Sequence, residues 1–249
     1  MKRANNIYFG NTPVVKVLLD SNVVWPIGSI IEPDVAKPAN NEIWYTSGIT
    51  TEATVPSYTG GFGANIVSNT YDAEKECWVI KFDGDVTRIG NGAFDNCKYI
   101  QTITIPDSVT KIGNYAFSTC QNLLSINIHD RITYIGEYAF SGCHSLNSVT
   151  IPDSVTMIDY RAFQYCYRLK TVTIGNNVTE IGDYCFFDCS KLTSVYCKAT
   201  NPPYINSYRV FEGVSSELKI YVPTESVEIY KTNSRWKNLA DAIVGYDFL

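Results

Sequence analysis

ITIPDSVTKIGNYAFSTCQNLLS, from Ile103 to Ser125, is the clearest copy of a unit that the chain repeats at a constant step. Its Ile112 belongs to a column with Ile89, Ile135, Ile158 and Ile181, and its Phe117 to one with Phe94, Phe140, Phe163 and Phe186. Cys120 aligns with Cys97, Cys143, Cys166 and Cys189, and Leu123 with Ile100, Leu146, Leu169 and Leu192. No insertion breaks this register. A constant period in this range means that one unit cannot bury its apolar side alone and must stack on its neighbours, which predicts a solenoid.

Within the unit, Ile100, Ile103 and Ile105 follow the L-x-x-L-x-L spacing of leucine-rich repeats. Residues two apart on a strand share a face, so Ile103 and Ile105 point inward and Thr102 and Thr104 outward. The same parity places Ser125 and Asn127, Ser148 and Thr150, Thr171 and Thr173, then Ser194 and Tyr196 on the outer face of a parallel sheet. IPDSV, at 105–109 and 151–155, supplies turn residues after the strand. The column Gly90, Gly113, Gly136 and Gly182, with Asp159 the exception, predicts a tight backbone bend. Ala116, Phe117 and Cys120 have the spacing of one helix face, which predicts a short helical turn. Each unit then buries about seven apolar side chains, at roughly 1.5–3 kcal/mol each before the entropy of ordering is counted.

The register extends back to Cys77, whose strand CWVIKF stands one period before Ile100, and forward to Cys197, where KATNPPYIN breaks it. The expected fold is therefore a leucine-rich-repeat solenoid of α/β type over 77–199, with 23-residue repeats, short parallel strands and helical turns. Six strands at about 4.8 Å make a body about 25–30 Å long. Residues 200–249 read as a C-terminal cap, with a strand through Val222, a short helix carrying Val227 and Tyr230, and an apolar run around Trp236, Leu239 and Ile243. Residues 1–50 read as a small β appendage built on IYFG and VVKVLLDSNVVWP, and 51–76, with VPSYTGGFGANIVSNTY, as a loop-rich lead-in and N-terminal cap.

The chain has 249 residues, 45% hydrophobic and 18% charged, with a net charge of -5. That balance argues against a protein that binds nucleic acid through its phosphates. The stretch from Val23 to Ile31 is too short for a membrane helix, and MKRANNIYFGNTPVV lacks the apolar core of a signal peptide.

The eight cysteines contain no C-x-x-C pair and predict no metal site; column cysteines one strand apart are too far separated for a disulfide and read as buried thiols. Cys143 and His144 are adjacent and would not face one another on a helical turn, His129 reads as a solvated turn residue, and Gly60–Gly63 as a flexible loop. No catalytic residue and no cofactor follow. Two candidate binding surfaces do. One is the outer sheet face, Thr104, Asn127, Thr150, Thr173 and Tyr196, flanked by the hydroxyl column from Thr102 to Ser194. The rival is Tyr134, Tyr138, Tyr160, Arg161, Tyr165, Tyr167 and Arg168, aromatic and arginine side chains of the kind favoured at protein interfaces.

ITIPDSVTKIGNYAFSTCQNL closely resembles the BspA-type (treponemal type) leucine-rich repeats of bacterial surface proteins, and NPPYIN through VPTESVEIYKTNSRWKN resembles the C-terminal segment that commonly follows them. The resemblance covers about 77–245. It implies a non-enzymatic adhesion or binding module, whose relatives are credited with binding host matrix proteins or other bacteria; together with the charge and hydropathy this gives the expectation of a protein or glycan partner, extracellular or at a cell surface, with neither nucleic acid binding nor membrane insertion. YFGNTPVVKVLLDSNVVWP also looks like short β segments of phage tail proteins and some gut-bacterial surface proteins, which implies the alternative of a phage virion component.

Overall fold

A computed structural model of the chain describes residues 7–9, 12–14, 37–48, 53 and 56–248. The chain divides into two compact units, Met1–Val35 with Phe248–Leu249, and Ala36–Asp247. In the first, Ile7–Phe9 pairs antiparallel with Thr12–Val14. The rest of the strand expected in VVKVLLDSNVVWP lies outside the described residues.

In the second unit the alternation of each repeat becomes parallel pairing. Ser148–Ile151, Thr171–Ile174 and Ser194–Cys197 lie side by side, with every residue opposite its counterpart in the next repeat. Val149, Val172 and Val195 are buried, and the hydroxyl residues between the apolar ones face outward. Lys219–Pro223 and Ile243–Tyr246 extend this sheet to five parallel strands. A second parallel sheet, of two-residue strands, holds the isoleucine column: Lys111–Ile112, Tyr134–Ile135, Met157–Ile158, Glu180–Ile181 and Tyr204–Ile205.

The ladder therefore does not stop at Cys197. Glu180 sits opposite Tyr204, one position beyond the regular step, and Ser194 opposite Lys219, two positions beyond it. KATNPPYIN lengthens a rung without ending the pairing, because a ladder needs adjacent parallel backbones and sets no condition on the length of the connecting loop.

The expected helical turn is absent from the repeats. Ala116, Ser118 and Cys120 donate to carbonyls three residues back, while Tyr115, Phe117 and Thr119 donate to Glu137, Ala139 and Ser141 of the next rung. Facing alternate amides outward along the stack requires left-handed backbone at two points per rung, such as Tyr115 (φ 57°) and Thr119 (φ 54°), or Arg161 (φ 54°) and Tyr165 (φ 61°). Each such residue costs on the order of 1 kcal/mol. The rung-to-rung hydrogen bonds satisfy amides that the buried turns would otherwise leave unpaired.

The N-terminal boundaries also differ from expectation. Glu42–Ser47, placed by its sequence in the appendage, inserts antiparallel between Cys77–Phe82 and Ile100–Thr104, so the side-chain columns run back to Cys77 while parallel pairing reaches the first repeat only at the bridge between Ile89 and Ile112. Ile66–Asp72, read as loop, pairs antiparallel with Cys77–Phe82. The connection is ordered by Asp72, whose carboxylate accepts the backbone N–H groups of Glu74 and Lys75. Phe62, in the GGFG stretch expected to be flexible, is buried, with its ring 5.0 Å from Phe82 and 5.7 Å from Phe94.

The core is a stack of phenyl rings. Successive centroids from Phe94 through Phe117, Phe140, Phe163 and Phe186 lie 5.3, 5.3, 5.0 and 5.6 Å apart with planes within 13°. Phe211 adds a sixth ring 5.5 Å from Phe186. The glycine column opens a turn in each rung, with Ala116, Ala139 and Cys185 donating to the carbonyls of Gly113, Gly136 and Gly182, but close stacking is what requires glycine there: a Cβ on Gly136 would lie 2.7 Å from the backbone of Gly113 and Asn114, and none of the three has positive φ.

All eight cysteines are free and buried. The thiols of Cys120, Cys143, Cys166 and Cys189 donate to the carbonyls of Phe94, Phe117, Phe140 and Phe163 at 3.1–3.3 Å. Burial pushes the pKa of Cys120, Cys143 and Cys166 well up, which suppresses the reactive thiolate. Native protein at pH 8 is expected to react slowly with a thiol reagent, and unfolding without reductant is expected to release eight thiols. Recovery of markedly fewer would reveal disulfides and overturn the assignment.

Candidate functional site

The outer face of the five-stranded sheet is built strand by strand. Thr150, Thr173, Tyr196 and Tyr221 are successive register partners, and Ser148, Thr171, Ser194 and Lys219 form the parallel row beside them. Ile220 and Val222 are buried on either side of Tyr221, so strand parity turns its ring outward; Val244 and Tyr246 do the same on the last strand. Tyr196 stacks on Tyr221 with centroids 4.7 Å apart and planes at 13°, and Tyr246 meets both edge-on at 5.3 and 5.8 Å. Burial, then the neighbouring Tyr221 and Tyr246, raise the pKa of Tyr196.

Of the five residues expected on this face, the structure brings together Thr150, Thr173 and Tyr196. Thr104 lies on a different sheet, opposite Trp44. Asn127 is exposed, yet its amide accepts the Ile105 N–H at 2.8 Å and donates to the Ile105 carbonyl at 3.2 Å. The side chain takes the place of ladder bonds, which leaves Ser125–Ile126 a two-residue strand. In the flanking column, Thr102 pairs its hydroxyl with Thr46 at 2.7 Å. Tyr221 and Tyr246 were hidden from sequence reading by the lengthened spacing after Ser194. The alternation in KIYVP was the signal that could have found Tyr221.

The rival surface divides in two. Arg161 lies 5.7, 4.8 and 5.0 Å from the ring centroids of Tyr138, Tyr160 and Tyr184, within cation–π range. Its Nη1 donates to the Tyr138 hydroxyl at 3.2 Å, while its buried Nε has no hydrogen-bond partner among the described residues. Tyr115 stacks on Tyr138, and Arg209 donates to the Tyr184 hydroxyl at 2.7 Å, extending the arrangement in both directions. Tyr134 donates to Asp159 at 2.6 Å; burial and that carboxylate push its pKa up. Tyr165 and Tyr167 form the second group, with Phe187 and His144, the last stacked on Tyr167 at 4.9 Å. Arg168 is exposed. These rings are occupied largely with one another, rung against rung, which is a structural use of the tyrosine column.

Cys143 and His144 do not form a nucleophile and base: the thiol is bonded to Phe117, and the imidazole is stacked on Tyr167. His129 is half-buried, and not solvated as expected, with Nε2 at 2.9 Å from the Pro106 carbonyl and Nδ1 accepting the Arg131 N–H; burial lowers its pKa. No helix among the described residues is long and apolar enough to cross a membrane.

The family model described as BspA type leucine rich repeat region matches residues 64–193 and 122–232, in six copies. Similar solved structures include a leucine rich repeat protein of T. pallidum, 23% identical over 58% of this chain with a TM-score of 0.43. A leucine rich cell surface protein of Faecalibacterium prausnitzii is 26% identical over 79% of the chain, with a TM-score of 0.47. A leucine-rich repeat protein of Bacteroides ovatus is 22% identical over 63%, with a TM-score of 0.29. The matches span 64%, 56% and 61% of those three proteins. A search of curated proteins finds no match.

Proposed function

This chain belongs to the BspA-type leucine-rich-repeat family, and from that premise we propose that it is a non-enzymatic binding module, displayed at a bacterial cell surface, that recognises a protein or a glycan. Leucine-rich-repeat proteins commonly serve in binding or adhesion. On this reading the body is a solenoid of 23-residue repeats, closed at its C-terminal end by the segment after residue 200, and the proposed recognition surface is the outer sheet face. The observation that carries the proposal is the in-register row Thr150, Thr173, Tyr196 and Tyr221, a preformed rigid surface with donors, acceptors and apolar ring area. Short hydroxyl side chains lose little entropy on binding, so single-site affinity is modest and display in many copies adds avidity. No observation favours the virion alternative.

The test is a binding screen of the purified chain against matrix proteins, bacterial surface proteins and glycans. Thr150→Glu with Thr173→Glu is expected to abolish any capture found while leaving the melting temperature intact, since both side chains point outward. Capture that survives these changes and disappears on changing Tyr165 and Tyr167 would place the site on the rival surface.

A further inference from the structure

We infer that the step where Tyr196 rises above Thr173 is a subsite for one unit of an uncharged oligosaccharide. The inference rests on the binding-module reading and names the ligand class for that face. Tyr196 and Tyr221 are stacked partners on adjacent strands, so their ring normals run along the sheet from strand to strand. One face of Tyr196 is covered by Tyr221. The other is directed over Thr173, its register partner on the opposite side. Thr173, Thr150 and Thr171 are small, so a floor of hydroxyl groups meets a wall made by an aromatic ring. An aromatic face packs against the C–H face of a sugar ring, and hydroxyls that both donate and accept match the hydroxyls of a sugar. Tyr246, edge-on to both stacked rings, holds the wall in place.

Two observations favour this occupant over a protein. Strands of four or five residues at about 3.3 Å per residue, five of them about 4.8 Å apart, give a face of about 250–300 Å². A stable protein interface needs about 800 Å² per partner. Charge points the same way: Lys219, at one margin, is the only charged side chain turned outward from these strands, so the face complements an uncharged polyhydroxyl ligand. The spacing of one strand per rung also lets an extended chain of sugars run along the stack past Thr173 and Thr150.

The experiment titrates the full chain by calorimetry with cellohexaose, laminarihexaose, mannohexaose and, as the anionic arm, a heparin hexasaccharide. At least one neutral hexasaccharide is expected to bind, about tenfold more weakly to Tyr196→Ala and with little change to Tyr196→Phe, which keeps the ring face. Thr173→Glu, which leaves the wall and blocks the floor, is expected to abolish binding, with thermal melting confirming that each variant is folded. Neutral binding unaffected by Tyr196→Ala and Thr173→Glu, or binding of heparin alone, overturns the subsite. If no hexasaccharide binds while a protein is captured through Thr150 and Thr173, the subsite is wrong and the binding-module reading stands. If neither saccharide nor protein binds, both fail.

Discussion

Phe140→Ala is expected to lower the melting temperature by about 10 °C. The ring is fully buried and stacked between Phe117 at 5.3 Å and Phe163 at 5.0 Å, so its removal opens one cavity against two rungs. Phenylalanine to alanine in a core costs about 3–5 kcal/mol, and for a chain of this size each kcal/mol moves the midpoint by about 2–4 °C. Neighbouring rungs collapse poorly into the gap because the hydrogen bonds from Phe117 to Ala139 and from Phe140 to Ala162 hold the backbones at stacking distance. Circular dichroism melting measures it. A midpoint within a degree or two of the parent would mean that the ring column contributes little and that the sheets carry the stack.

Trp236→Ala is expected to cost at least as much, through a different part of the molecule. The indole is fully buried, 6.3 Å from Phe211, the last ring of the stack, and edge-on to Tyr230 at 5.1 Å. Its N–H donates to the Pro203 carbonyl at 2.8 Å. Alanine removes the apolar body, about 3–5 kcal/mol, and orphans a buried carbonyl, about 1–3 kcal/mol more. Trp236→Phe separates the two contributions, since it retains most of the packing and loses only the donor. Amide exchange should show the loss concentrated at the C-terminal end, in the strands Ser194–Cys197 and Lys219–Pro223, because stacked units couple mainly to their neighbours. Uniform loss of protection from Phe94 onward would contradict that and indicate one cooperative unit.

The columns of isoleucine, phenylalanine, cysteine and leucine were legible because each recurs at one interval, and so were the outward positions Thr150, Thr173 and Tyr196, because strand parity needs only local alternation. The glycine column was legible as a column and misread in cause: spacing marks a position where a side chain is excluded without saying whether φ or a neighbouring backbone excludes it. The turns at Ala116–Cys120 were misread for a related reason. Helical spacing places three small or apolar side chains on one side, and so does a pair of tight turns with left-handed residues at Tyr115 and Thr119.

Glu42–Ser47 shows where sequence reading runs out. It pairs with residues such as Lys81 and Thr104, and those separations repeat nowhere in the chain. The same holds for Tyr221 and Tyr246, which join Tyr196 first across a spacing longer than the repeat and then by an edge-on contact from the last strand. Repetition alone marked the stacked core, because burial against an identical neighbour depends only on where a side chain sits within its own unit. Which strands lie together outside the regular run, and with them the tyrosine wall above Thr173, was decided by backbone hydrogen bonds between segments of irregular separation, and those bonds exist only once the chain has folded.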